Sequence, residues 1–98
     1  MIDLEAICDR HGIHLDHLSA RMQHMGGVCL RHKGDSLILY DHDRKDKDFV
    51  IAHELGHILL GHLEKRGTTR VYDSDQWQEI EANLFAIVML ATSEVLTA

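Results

Sequence analysis

The sequence contains no proline, and only two of its 98 residues are cysteine. Without proline or low-complexity stretches, glycines and charged segments are the only marks of internal boundaries, so we expect residues 1–98 to form one small domain. Cys8 and Cys29 lie far apart and outside any C-x-x-C pattern. They are therefore predicted to be reduced thiols that pack like small apolar residues.

Long apolar runs and a surplus of basic residues are also missing. Uninterrupted apolar runs, such as Ile58-Leu59-Leu60, are too short to span a membrane. Ten Lys and Arg against sixteen Asp and Glu give a net charge of −6, so direct nucleic-acid binding is not expected. The first ten residues lack the basic start and apolar stretch of a secretory signal, which predicts a cytoplasmic protein. Histidine, with nine residues, is the one unusually abundant type.

Apolar spacing and glycines predict helical and extended segments in the first half of the chain. Apolar positions within residues 2–9 favour a short helix that Gly12 ends. Residues 13–18 fit a strand and a helix equally well, and the pattern alone does not decide. The β-prone runs 28–30 and 37–40 flank a polar loop with a glycine, which is typical of a β-hairpin.

A long helix is predicted after the hairpin. Apolar positions favour a helix from near Phe49 to about Leu63, with Asp46 or Asp48 as its N-cap. The charged segment that follows, residues 64–73, is predicted to be a linker.

A last helix is predicted beyond the linker. Ser74 or Asp75 would cap it, and the pattern continues to roughly Leu90. The expected fold class is therefore α+β, with a small sheet or β-hairpin packed beside two long helices.

The first long helix carries the motif His53-Glu54-Leu55-Gly56-His57. On a helix His53 and His57 are about 40° and one turn apart, so both imidazoles reach one metal ion. Glu54 projects about 100° from His53, where it would hold and deprotonate a water rather than bind the ion. Roughly 0.05 such motifs are expected by chance at this composition, and the apolar flanks make unengaged histidines costly to bury. The motif predicts a zinc-dependent peptidase with Glu54 as its catalytic residue.

A catalytic zinc ion needs a third protein ligand, and the last helix offers two glutamates. That helix has an apolar stripe at spacings of three and four, made up of Trp77, Leu84, Phe85 and Val88. Glu81 falls within this stripe, where a carboxylate needs a compensating partner such as zinc. Glu79 has mostly polar neighbours, so we predict Glu81 rather than Glu79 as the ligand. The alternative for Glu81 is solvent, or an ion pair with Arg66 or Arg70.

Three further residues lie on the two predicted helices or in the linker between them. His62 does not fit the H-E-x-x-H-x-x-G-x-x-H spacing of a three-histidine site, so we expect it at the helix C-terminus, where positive charge is favourable. Asn83 points away from Glu81 and is expected to bond the backbone or a group behind the ligands. Tyr72 is a candidate oxyanion stabiliser, in competition with Tyr40 and several histidines.

The two helical segments resemble the ImmA/IrrE family of zinc metallopeptidases. The matching blocks are Phe49-Val50-Ile51-Ala52-His53-Glu54-Leu55-Gly56-His57-Ile58-Leu59-Leu60-Gly61-His62 and Glu79-Ile80-Glu81-Ala82-Asn83-Leu84-Phe85-Ala86. The second block is similar to the family's E-x-E-A-N-x-F-A segment, in which the glutamate before Ala-Asn binds the metal, again Glu81. Because the family has short strands before its metal helix, the resemblance also implies that residues 13–18 form a strand.

The resemblance implies a zinc metalloendopeptidase in a minimal form. Where the family often has Leu-Leu-Met-Pro, this chain has Met89-Leu90-Ala91-Thr92, and it ends at Ala98, before the further helices or helix-turn-helix domain of many members. Members of the family are associated with cleaving repressors of mobile elements or stress-response regulators. The resemblance thus implies a protein substrate such as a helix-turn-helix repressor.

Two other functions stay open on the sequence alone. The short chain is compatible with a catalytically inactive, zinc-stabilised protein-interaction module. The remaining histidines, among them His11, His14 and His17 at spacings of three, would allow metal buffering, although solvated histidines explain them more simply. For the peptidase, we expect residues 37–40 to form a sheet edge that binds substrate as an added strand.

Overall fold

The computed structural model describes residues 2–63, 69–71 and 75–97. Its elements in chain order are α1 (Leu4–Arg10), β1 (Ile13–His17), a 3₁₀ helix (Ala20–Met25), β2 (Gly27–His32), β3 (Asp35–Tyr40), α2 (Lys47–Leu59), β4 (Thr69–Val71) and α3 (Gln76–Thr97). The four strands form a mixed sheet in the order β1-β3-β2-β4. Strands β1 and β3 run parallel, and the other neighbours are antiparallel. The predicted α+β class is confirmed.

The predicted hairpin is present, but it is not at an edge. Lys33 and Gly34 link β2 to β3 and both have positive φ, 50° and 87°, as a two-residue type I′ turn requires. Strand β1, which the resemblance implied, pairs with β3 along its length. The expectation that residues 37–40 form a free edge is therefore wrong, because β1 and β2 occupy both sides of β3. Strand β4 was not predicted and lies within the segment expected to be a linker.

The helix starts follow ordinary capping chemistry. Asp75 caps α3, as predicted: its carboxylate accepts from the Gln78 N–H (2.9 Å), and the Gln78 side-chain carbonyl accepts from the Asp75 N–H (3.3 Å). Asp46 occupies the predicted N-cap position of α2 without capping it through its side chain. Its carboxylate instead accepts two hydrogen bonds from Arg44, at 2.7 and 2.9 Å.

Helix α2 ends at Leu59, four residues before its predicted end. Gly61 has a φ of 79°, its N–H donates to the Ile58 carbonyl (3.1 Å), and the His62 N–H donates to the His57 carbonyl (2.9 Å). This pair of bonds is a Schellman motif. It folds the chain back over the last turn and brings His62 next to His57.

The core lies between the sheet, α2 and α3. Its larger cluster of buried residues comprises Cys8, Ile13, Cys29, Ile38, Leu55, Ile58 and Leu63. The two long helices approach closely, since Ala52, Ala82 and Ala86 are fully buried and a Cβ on Gly56 would lie 3.1–3.2 Å from Phe85. Within the described ranges, the helices lack the combination of length and hydropathy that crossing a bilayer needs.

The outward face of α3 is apolar and exposed. Trp77, Leu84 and Val88 are 73%, 56% and 62% exposed. These residues belong to the stripe that was expected to face the core with Glu81, and that expectation is wrong. Of the stripe, Phe85 alone packs against the core. The buried side of the helix is marked by alanines instead.

Candidate metal centre

Three side chains converge where α2 crosses α3. His53 and His57 project from one face of α2, and Glu79 extends from the first turn of α3. The His53 Nε2 lies 2.8 Å from the Glu79 Oε2, and the His57 Nε2 lies 3.4 Å from the Glu79 Oε1. The two Nε2 atoms are 3.1 Å apart. All three groups thus aim their ligand atoms at one small volume.

The chemistry of this set fits a metal ion. Two imidazole nitrogens and one carboxylate oxygen lie within 4.8 Å of one another. A tetrahedral zinc ion bound at about 2.0–2.2 Å would place its ligand atoms roughly 3.3–3.6 Å apart, close to the 2.8–3.4 Å found here. Three protein ligands are also the number typical of a catalytic rather than a structural zinc site.

The predicted ligand Glu81 is not part of this group. It lies about 200° around α3 from Glu79, and its Oε1 is 3.4 Å from the His62 Nε2. Glu79 shares the inward face with Ala82 and Asn83, three and four residues along the helix. The structure therefore brings Glu79, not Glu81, to the two histidines. The sequence signal that marks this face is the recurrence of small residues, whereas the prediction relied on apolar bulk.

Asn83 holds the outer nitrogen of His53. The Asn83 Oδ1 lies 2.8 Å from the His53 Nδ1, so the amide oxygen accepts a hydrogen bond from the Nδ1–H. This tautomer leaves the Nε2 lone pair of His53 directed at the converging group. The expectation that Asn83 bonds the backbone or a group behind the ligands does not include this contact, which Asn83 makes to the candidate ligand His53 itself.

His57 is buried and neutral. Burial lowers its pKa to about 4; positive charge on His53 and His62 lowers it as well, and the Glu79 carboxylate opposes the shift. At pH 7 the imidazole therefore carries no charge, and this is the form that binds metals. On its outer side the His57 Nδ1 lies 2.9 Å from the His62 Nδ1.

Glu54 is held between α2 and the sheet. The Cys29 thiol on β2 donates a hydrogen bond to its carboxylate, and burial raises the pKa of Cys29 so that the donor stays protonated. A Cβ on Gly27 would overlap Val50 and lie 3.6 Å from the Glu54 Oε1, so a glycine there lets α2 approach β2. Sequence reasoning assigned Cys29 to packing and missed this contact, because nothing in the local pattern joins the two residues.

Burial also raises the pKa of Glu54. The hydrogen bond from Cys29 and the charge on His53 lower it, while the Glu79 carboxylate raises it further. Glu54 thus lies within the electrostatic field of the converging group. A carboxyl group whose pKa lies above its ordinary value is suited to take up and return a proton near neutral pH.

A comparison with protein families identifies the family of this chain. The model of the M78 peptidases, described as the IrrE N-terminal-like domain, matches residues 8–98. The chain belongs to this family. The match confirms the resemblance seen in the two helical blocks, and it supports a metallopeptidase-type function. No curated protein and no solved structure gives a significant match.

Two other predictions for this M78 family member concern Tyr72 and the remaining histidines. Tyr72, the candidate oxyanion stabiliser, lies outside the described residues. Among the residues that are described, one further set of ligand atoms comes together, on Asp41, His42 and Asp43. This set is largely exposed, and exposed acidic groups are common in proteins without any bound metal. The histidines at 11, 14 and 17 form no such set within the same ranges.

Proposed function

We propose that this M78 family member is a zinc-dependent metalloendopeptidase. The observation that carries the proposal is the convergence of the His53 and His57 Nε2 atoms with the Glu79 carboxylate, beside Glu54 on the same helix. A zinc ion held by these three residues would polarise the scissile carbonyl and lower the pKa of the attacking water.

Glu54 is the proton carrier in this proposal. Its carboxylate accepts a proton from the attacking water and later donates it to the leaving amine. The raised pKa favours holding that proton between the two steps. Asn83 orients His53 from behind. Both residues lie on the long helices, Glu54 on α2 and Asn83 on α3.

A protein is the substrate class we propose. The family resemblance supports a helix-turn-helix repressor of a mobile element, or a stress-response regulator, as the molecule that is cleaved. The net charge of −6 argues against direct contact with a nucleic-acid backbone. A neighbouring gene for a helix-turn-helix protein would name the candidate to purify.

Replacing Glu54 by Gln tests the mechanism. We expect Glu54→Gln to keep its zinc content and to lose about 10²–10⁴-fold in cleavage rate, because the amide cannot accept the proton. The probes are labelled casein and, if a helix-turn-helix protein is encoded beside this chain, that protein in purified form, with products followed by mass spectrometry. The exposed Glu5→Gln serves as the matched control and should cleave like wild type.

Two outcomes would count against this mechanism. Undiminished cleavage by Glu54→Gln would remove Glu54 from the reaction. Zinc binding by the wild-type protein without cleavage of either probe would favour the inactive, zinc-stabilised interaction module.

A further inference from the structure

Behind His57 lies a second pair of polar side chains, His62 and Glu81. The His62 Nδ1 is 2.9 Å from the His57 Nδ1, and the His62 Nε2 is 3.4 Å from the Glu81 Oε1. His57 and His62 are only 1% and 8% exposed, whereas the Glu81 side chain is 58% exposed. A series of polar contacts therefore runs from the buried metal-site histidine to the protein surface.

One placement of protons agrees with a metal bound at the His57 Nε2. A neutral imidazole has one N–H donor and one acceptor nitrogen. With a metal on its Nε2, His57 would carry its proton on Nδ1 and donate it to the His62 Nδ1. His62 then carries its own proton on Nε2, where the Glu81 carboxylate accepts it. Each donor along the series meets an acceptor.

The end of α2 sets up this contact. Because Gly61 takes a left-handed conformation, the His62 N–H bonds the His57 carbonyl while the two rings meet. Had α2 continued to Leu63, His62 would lie about 140° around the helix from His57. The rings could not then face each other. The Schellman turn thus places both the main chain and the ring of His62 against one residue.

We propose that His62, backed by Glu81, is a positioning residue that fixes the tautomer and ring orientation of the metal ligand His57. The inference rests on the proposed function, since it takes His57 as a ligand. Both histidines on α2 then have their outer nitrogen held, His53 by Asn83 and His57 by His62. Partners of this kind contribute about 10–100-fold to metal affinity. Glu81 thus acts on the metal site through two imidazole rings.

The test compares His62→Phe with His62→Gln in zinc competition titrations of the full chain against a chromophoric chelator. Phenylalanine fills a similar volume without an acceptor, whereas the glutamine oxygen still accepts from the His57 Nδ1–H. We expect His62→Phe to weaken zinc binding by about 10–100-fold and His62→Gln by less than about threefold. Equal losses in the two variants, or wild-type affinity in His62→Phe, would overturn the proposal.

A second measurement uses the zinc-loaded protein. A ¹⁵N–¹⁵N coupling across the hydrogen bond from the His57 Nδ1–H to the His62 Nδ1 should be present in wild type and absent in His62→Phe. Absence of this coupling in zinc-loaded wild type would overturn the positioning role. Failure of the wild type to bind zinc would instead overturn the proposed function.

Glu81→Ala covers the case in which His62→Phe does not fold. Its side chain is mostly exposed, so the variant should fold, as circular dichroism would show. We expect zinc affinity to fall about threefold to tenfold, because His62 loses the acceptor that orients it. Glu81→Gln, which keeps an acceptor oxygen, should bind zinc like wild type. Unchanged affinity in Glu81→Ala would overturn the role of the pair.

Discussion

Helix α3 presents two faces that differ in what they contact. The face toward α2 carries Glu79, Ala82, Asn83 and Ala86, and the outward face carries Trp77, Glu81, Leu84 and Val88. Ala82 and Ala86 are fully buried, whereas Trp77, Leu84 and Val88 are exposed. The two helices cross closely because Gly56 leaves room for the ring of Phe85, which is the one member of the stripe that packs against the core. Where helices pack this closely, apolar bulk does not identify the buried face.

Replacing either of the two glutamates on α3 tests the difference between the two faces. These substitutions have the largest expected effect. Glu79→Ala removes the carboxylate that contacts both Nε2 atoms, and we expect zinc affinity to fall by more than about 100-fold as a ligand is lost. Glu81→Ala, on the other face, should lose at most about tenfold. Zinc competition titrations and the zinc content of the purified proteins measure both. Loss of zinc from Glu81→Ala, with retention by Glu79→Ala, would reverse the two faces.

Packing gives the next largest effect. Ala86 is fully buried between the helices, so Ala86→Leu should lower the free energy of unfolding by about 1–3 kcal/mol through overpacking. Leu84→Ala on the outward face should change it by no more than about 0.5 kcal/mol. Urea denaturation of the metal-free variants measures the difference. A costly Leu84→Ala beside a harmless Ala86→Leu would contradict the assignment of the faces.

Acidification should have a smaller effect, and this effect is on the stability of the fold. Burial lowers the pKa of His57 from an ordinary 6.5 to about 4, so between these values the unfolded chain binds a proton that the folded chain does not. Stability should therefore fall as the pH drops through this window. The raised pKa of Glu54 has the opposite effect on stability, because the stability that it contributes is lost as the pH rises above 4.5.

A comparison of variants separates the contribution of His57 to the pH dependence of stability from that of Glu54. With metal removed by EDTA, the urea midpoint of wild type should fall more between pH 6.5 and 5 than that of His57→Gln. The exposed His14→Gln is the matched control and should follow wild type. Parallel pH profiles for wild type and His57→Gln would show that burial does not shift this histidine.

Much of the fold was predictable because the signals are local. The hairpin follows from two β-prone runs around Lys33-Gly34, and the α3 start follows from the side chain of Asp75. The end of α2 could not be predicted, because the left-handed turn at Gly61 depends on bonds to the preceding helical turn. Strand β1 was ambiguous in the pattern, since its conformation depends on pairing with β3.

The residues of the candidate site also divide into those that a local signal predicts and those that depend on tertiary packing. His53, Glu54 and His57 follow from the helical period, so the sequence alone identifies them. The choice between Glu79 and Glu81 depends on which side of α3 faces α2, a tertiary property. The Cys29 contact with Glu54 joins residues 25 positions apart in the chain, and such contacts leave no local pattern.

The turn at Gly61 links the fraying of the end of α2 to the loss of a side-chain contact at the candidate site. The final turn of a helix frays readily in solution, usually without consequence for residues elsewhere. Here, breaking the bond from the His62 amide to the His57 carbonyl also withdraws the ring that rests against His57. Hydrogen exchange at the single amide of His62 therefore measures how often the outer support of His57 is lost, and the lifetime of one helical turn limits the lifetime of the assembled site.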